Sequence, residues 1–211
     1  MADSSDYAVH FDIDYPGQMD RMTTFFRLLW AIPILVILGL LSGSGTVHYV
    51  NEAGKMVQTS AGGISGGLFL ATVLMLVFRQ RYPRWWFDFS VELARFGARV
   101  GAYALLLTDV YPSTVEAQSV HLEVAYPEAE RLNRWLPLVK WLLAIPHFII
   151  LSLLAIGVVV VTIIAWFAIL FTGRYPQGLF DFVVGVGRWS VRVWAYAILL
   201  VSDDYPPFSL S

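Results

Sequence analysis

The side chains with the most capacity for chemistry form two stripes. Asp88, Glu92, Arg95, Arg99 and Tyr103 follow one another at spacings of four, three, four and four, which is one face of a helix; Asp181, Gly185, Arg188, Arg192 and Tyr196 repeat the spacing. A guanidinium is a planar donor suited to carboxylates and phosphates. On apolar helices, ionisable groups are costly unless paired or wet, so such residues are functional suspects. The expected ligands of Arg95, Arg99, Arg188 and Arg192 are anionic lipid headgroups or another anion. Asp88, Glu92 and Asp181 are the carboxylates able to neutralise them along the helix. Tyr103 and Tyr196 end the stripes with rings suited to the headgroup level. Substitution of these arginines is expected to affect lipid retention more than stability.

The second cluster lies on two short alternating segments. His10, Asp12 and Asp14 share a strand face, as do His121 and Glu123, and neighbouring strands would bring nitrogen and carboxylate ligands together. Nothing in the spacing requires a metal, and a solvated polar face is the preferred reading. Enzyme chemistry finds no constellation. There is no cysteine, Ser, His and Asp never form a nucleophile elbow, and no Lys-Ser or Lys-Thr pair follows Gly62-Gly63-Ile64-Ser65-Gly66-Gly67. The expectation is no catalytic residue, no cofactor and no metal. His147, beside Pro146, reads as a satisfied helix-end residue, and Pro33 and Pro146 as kinks in apolar helices.

These residues sit in a chain that says nearly the same thing twice. Val9-His10-Phe11-Asp12-Ile13-Asp14-Tyr15-Pro16 returns as Val120-His121-Leu122-Glu123-Val124-Ala125-Tyr126-Pro127, and Ala31-Ile32-Pro33 as Ala144-Ile145-Pro146. Arg81-Tyr82-Pro83 with Phe87-Asp88-Phe89 returns as Arg174-Tyr175-Pro176 with Phe180-Asp181-Phe182. Of 211 residues, 57% are apolar and only 14% charged, with eight Trp and ten Tyr, so water is not the main solvent. A net charge of -2 argues against a nucleic-acid footprint. The expected fold is an all-α membrane protein of two tandem repeats. Each has a short N-terminal strand, a transmembrane helical hairpin and an amphipathic helix.

Repeat one, 1–112, is expected to hold a polar external insert at 42–67, containing a small β-hairpin, and an amphipathic helix at 85–107. Repeat two, 113–211, is expected to hold a hairpin at 141–172 and an amphipathic helix at 178–201. A single helix from Trp141 to Thr172 would be about 48 Å long, beyond a hydrocarbon core of roughly 30 Å, which favours a turn near Gly157 over one long tilted helix. Lone strands leave backbone groups unpaired, so the strands around Phe11 and Leu122 are expected to pair. Arg and Lys cluster beside the hairpins, and only Lys55 falls in the insert, which places both termini and the 116–134 junction in the cytoplasm.

At Arg174-Tyr175-Pro176, Phe180-Asp181-Phe182, Arg188-Trp189-Ser190-Val191-Arg192, Tyr196-Ala197 and Tyr205-Pro206-Pro207-Phe208 the chain resembles a bacterial integral-membrane family catalogued as domain of unknown function 4389. The resemblance implies a multi-pass protein of the bacterial inner membrane and transfers no activity. The expected role is a non-enzymatic accessory or scaffold subunit contacting anionic lipids, a membrane-protein partner or a second copy. The alternative is a small transporter or channel component whose charged stripes line a polar path.

Overall fold

The computed structural model describes residues 7–42, 45–50, 55–61, 64–114, 116 and 118–211. It is mostly helical. Strand β1 (Val9–Ile13) precedes helix α1 (Arg21–Ser42), the hairpin β2 (Gly45–Val50) and β3 (Met56–Ala61), and helices α2 (Ile64–Arg79) and α3 (Arg84–Ala104). Strand β4 (Val120–Val124) leads to the short α4 (Lys140–Leu143), α5 (Ile145–Thr172) and α6 (Gln177–Trp194).

The two alternating segments pair as expected. β1 and β4 run antiparallel with Phe11 opposite Leu122, His10 opposite Glu123 and Asp12 opposite His121. Alternation then sorts the side chains: Val9, Ile13, Val120 and Leu122 are buried, while His10, Asp12, Asp14, His121 and Glu123 are exposed. The Asp14 N–H donates to Ser119 O and the Ala125 N–H to Ala8 O, both at the ribbon's ends. Even-numbered β1 residues thus share the ladder, and Phe11 and Leu122 turn their backbone groups to the outer edges.

Two helices lie under this ribbon, and each presents an opposite flank to an apolar helix. Arg95 of α3 and Arg188 of α6 reach the ribbon, whereas Phe96 and Val100 of α3 cluster with Ile34 of α1, and Trp189 of α6 meets His147 of α5. The third layer is apolar on its outside. Leu28, Leu40 and Phe171 are 79%, 78% and 78% exposed, and α1, α5 and α6 extended to Leu199 are each long and apolar enough to cross a membrane.

The expected hairpin at 141–172 does not occur. α5 is one helix of 28 residues, about 42 Å long, with no turn at Gly157. That glycine serves packing: a Cβ there would meet the edge of Phe182 at 3.5 Å. No residue around it has turn chemistry, and the run through Val158, Val159 and Val160 continues the helix without interruption. The turn comes at Gly173, whose φ of 74° suits glycine, and whose N–H closes on Ile169 O at 2.7 Å. Pro146 stands in the first turn of α5, where its missing N–H costs nothing, so it marks a helix start rather than a kink. In the first half, α1 and α2 do flank the expected β-hairpin, with Val47 opposite Thr59, and its connection, 51–54, lies outside the described residues. α1 and α2 meet α3 in succession. Ile34 joins Phe96 and Val100, while Val73, Leu76 and Val77 join Phe87 and Val91.

Two buried cations tie the loops after α3 and α6 to the apolar layer. Arg27 of α1 donates to Tyr103 O and Thr108 O, pairs with Asp109 and stacks 4.4 Å from the Tyr103 ring. Lys140 donates to Ser202 O, pairs with Asp203 at 2.8 Å and lies 5.2 Å from the Tyr196 ring. Burial pushes the Lys140 ammonium below its ordinary range while Asp203 pulls the other way. The same loops also hold the helix entrances: the Asp20 N–H donates to Asp109 and the Asn133 N–H to Asp203. Leu106 and Leu200 both turn left-handed, with φ 64° and 62°. Leu200 stands one residue further from its stripe tyrosine than Leu106 does, and the π-helical turn Ala195–Leu199 takes up the extra residue.

Two outcomes test this arrangement. Cysteines replacing His10 and Glu123 should crosslink under mild oxidant, whereas a His10/His121 cysteine pair, one register step away, should react far more slowly. Asp203→Asn strands the ammonium in a dry site and should cost about 3 kcal/mol. Lys140→Met leaves a partly hydrated carboxylate and should cost less, both read as thermal unfolding in detergent.

Candidate lipid and anion contact site

The structure uses the stripe arginines on backbone first. Arg95 donates to Leu122 O through Nε at 3.3 Å and Nη2 at 3.0 Å, and Arg188 donates to Phe11 O through Nε at 3.2 Å. These two carbonyls face opposite edges of the ribbon. Each edge is therefore capped by a guanidinium from the helix beneath it, which removes acceptors that another strand would use. Arg95 also pairs with Glu92, and Arg188 with Asp12 at 2.7 Å.

The other two arginines are buried. Arg99 is 9% exposed and donates to Ser113 O at 2.6 Å; Arg192 is 5% exposed and donates to Ser209 O at 3.0 Å and Ser211 O at 2.6 Å. Tyr103 and Tyr196 lie buried under Arg27 and Lys140. Asp88 and Arg84 face each other at 4.0 Å, both exposed, whereas Asp181 is exposed and has no ion-pair partner among the described residues. Gly185, where the first stripe carries Glu92, admits the tail: a Cβ there would stand 2.8 Å from Leu210 O.

Arg188 and Arg192 still border a polar concavity of about 390 Å³, shared with His10, Asp12, His121 and Glu123. The alternating residues are thus brought together as anticipated, but with a charge order that suits mutual pairing. His121 Nε2 lies 3.0 Å from Asp14, Asp12 is taken by Arg188 and by the Ile13 N–H, and among the described residues no group of three His, Cys, Asp or Glu could hold a metal.

Residues 135–209, which run from before α4 into the tail, match the family model of a domain of unknown function (DUF4389). No curated protein matches the chain, and no solved structure does. The matched segment holds Lys140 and the whole of the second stripe, with Arg188 and Arg192.

Sequence reasoning missed the surroundings of three residues. Arg27 and Lys140 belong in sequence to the basic residues that cluster beside the apolar segments, yet they are 1% and 0% exposed. The signal was available in their shared place four residues before Ala31-Ile32-Pro33 and Ala144-Ile145-Pro146. His147 is wholly buried, stacked on Phe208 at 4.0 Å, and only half satisfied: Nδ1 accepts from Trp189 Nε1 at 3.0 Å, and Nε2 has no partner.

The geometry reverses the expected order of effects for the buried arginines. Arg192→Gln forfeits charge-assisted bonds to the tail and should lower stability by about 1.5–3 kcal/mol, with earlier proteolysis of residues 203–211. Arg84→Gln, at an exposed pair, should change thermal unfolding by less than about 0.5 kcal/mol.

Proposed function

We propose that the chain is an integral protein of the bacterial cytoplasmic membrane, a duplicated module whose role is non-enzymatic: an accessory or scaffold subunit that contacts anionic lipid and a membrane-protein partner. One observation carries the membrane reading. α5 has 28 residues without a charge, and only 11% of its most apolar stretch is buried inside the protein. A surface of Leu153, Ile156, Val159, Ile163 and Phe167 is stable where the solvent is itself apolar.

The duplication is supported by contacts that recur in pairs. Arg95 and Arg188 cap opposite ribbon edges, Arg27 and Lys140 bind equivalent loops, and the Tyr15 and Tyr126 hydroxyls donate to Tyr175 O and Tyr82 O. Every one of these joins one half to the other or repeats within each half. Orientation follows from charge. The ribbon's exposed face and Arg21, Arg79, Arg81, Arg134 and Arg174 belong on the cytoplasmic side, with both termini. With both of its ends on that side, through His147 against Trp189 and Gly173 against Met19, the uninterrupted α5 lies along the cytoplasmic leaflet and does not cross, and α1 and α2 make the crossing. The β2–β3 insert leaves from the bilayer-facing layer and emerges outside, because polar backbone cannot stop in hydrocarbon. A scaffold suits the stripes better than a conducting path, since their arginines are engaged by carbonyls and carboxylates.

The protein should resist alkaline extraction from membranes. In intact cells an impermeant thiol reagent should label Lys55→Cys and spare Ser119→Cys. Release by alkali would overturn the membrane reading, and external labelling of Ser119→Cys would overturn the orientation.

A further inference from the structure

We infer that Arg21 and Arg174 form a binding site for a phosphate oxyanion, supplied by the headgroup of an anionic lipid. The inference rests on the membrane reading above and adds a site that lies outside both stripes. Arg21 opens α1, and Arg174 follows the turn that ends α5. The two helices that carry most of the exposed apolar surface thus begin and end at one place. A polar concavity of about 430 Å³ opens there between Arg21, Arg174, Thr172 and Gln18.

The position of the two cations is built rather than incidental. The Met19 N–H donates to Gly173 O at 2.9 Å, clipping the entrance of α1 to the exit of α5. Gly173 has no side chain, so the Arg21 guanidinium lies close: a Cβ there would come within 3.7 Å of its Nε. The neighbouring carboxylate does not compete for it. Asp20 accepts from the Met22 and Thr23 N–H groups, which hold its carboxyl below the ordinary range. Among the described residues, neither Arg21 nor Arg174 has a side-chain hydrogen bond or ion pair, and both are exposed.

Contrast the arginines of the stripes, each of which already donates to a backbone carbonyl. Two unengaged guanidinium groups at the polar ends of apolar helices offer paired, planar donors at the depth of lipid phosphates. The ligand is therefore a phosphate with at least one negative charge, held by charge-assisted bonds and open to water, so its binding is salt-sensitive.

The test uses the full chain purified in neutral detergent, titrated with phosphatidylglycerol, phosphatidylcholine or inorganic phosphate, and read as thermal shift and as lipid retained in native mass spectrometry. The wild type should retain phosphatidylglycerol over phosphatidylcholine, and Arg21→Gln/Arg174→Gln should weaken that retention about tenfold or more. Arg21→Lys/Arg174→Lys should keep part of it, and the matched control Arg84→Gln/Arg131→Gln should keep most of it. Inorganic phosphate binding that the double Gln variant loses, without preference for the lipid, upholds the site and assigns it a soluble source. Equal phosphatidylglycerol and phosphate binding by wild type and the double Gln variant overturns the inference. Alkaline extraction is run on the same variant: loss of headgroup retention with intact membrane integration separates this site from the membrane reading.

Discussion

The rest of the structure depends on the pairing of β1 with β4 over α3 and α6. Five residues in each strand make a ribbon too small to stand alone in water, and its partners come from opposite ends of a long stretch of chain. What makes it viable is that each component of the ribbon is satisfied from below. Val9, Ile13, Val120 and Leu122 bury against the helices, and the carbonyls of Phe11 and Leu122 accept from Arg188 and Arg95. The charges that make these helices expensive in an apolar setting are thereby the groups that close the ribbon's edges. Each arginine serves the strand that sits over its own helix, and each strand belongs to the opposite half of the sequence. The halves cannot separate without exposing both.

The buried cations extend the same logic to the loops. A loop packed against an apolar layer leaves carbonyls without ladder partners, and in this chain Thr108 O and Ser202 O, beyond the ends of α3 and α6, are met by Arg27 and Lys140. Asp109 and Asp203 then neutralise the cations while also accepting from the backbone at the entrances of the apolar segments. Charge is thus spent on backbone satisfaction inside the protein. The exposed helix faces are left almost purely apolar, a division suited to a bilayer on one side and water on the other.

Among the unengaged polar groups, three stand at the borders between layers. Arg21 and Arg174 stand where α1 and α5 meet the polar surface, and Nε2 of His147 points from the start of α5 without an acceptor. With its Nδ1 occupied by the Trp189 indole N–H, neutral His147 carries its proton on Nε2.

The sequence by itself determined the polarity of each element. Alternation in Val9–Ile13 and Val120–Val124 marked two strands and their buried faces, the repeated Tyr-Pro and Ala-Ile-Pro landmarks aligned the halves, and uncharged runs marked the helices with exposed apolar surfaces. These features are local, because side-chain period and solvent preference are properties of a short window. Which groups would satisfy the charges was decided only by the tertiary structure. Arg188 and Arg192 stand four residues apart on one helix face, yet one caps a strand 177 residues back and the other holds the tail, since an arginine finds carbonyls only once the layers have met. Gly157 shows the same limit from the other side. A glycine in an apolar run reads equally as a turn or as a close contact, and the ring of Phe182, packed against it from another helix, made it the second.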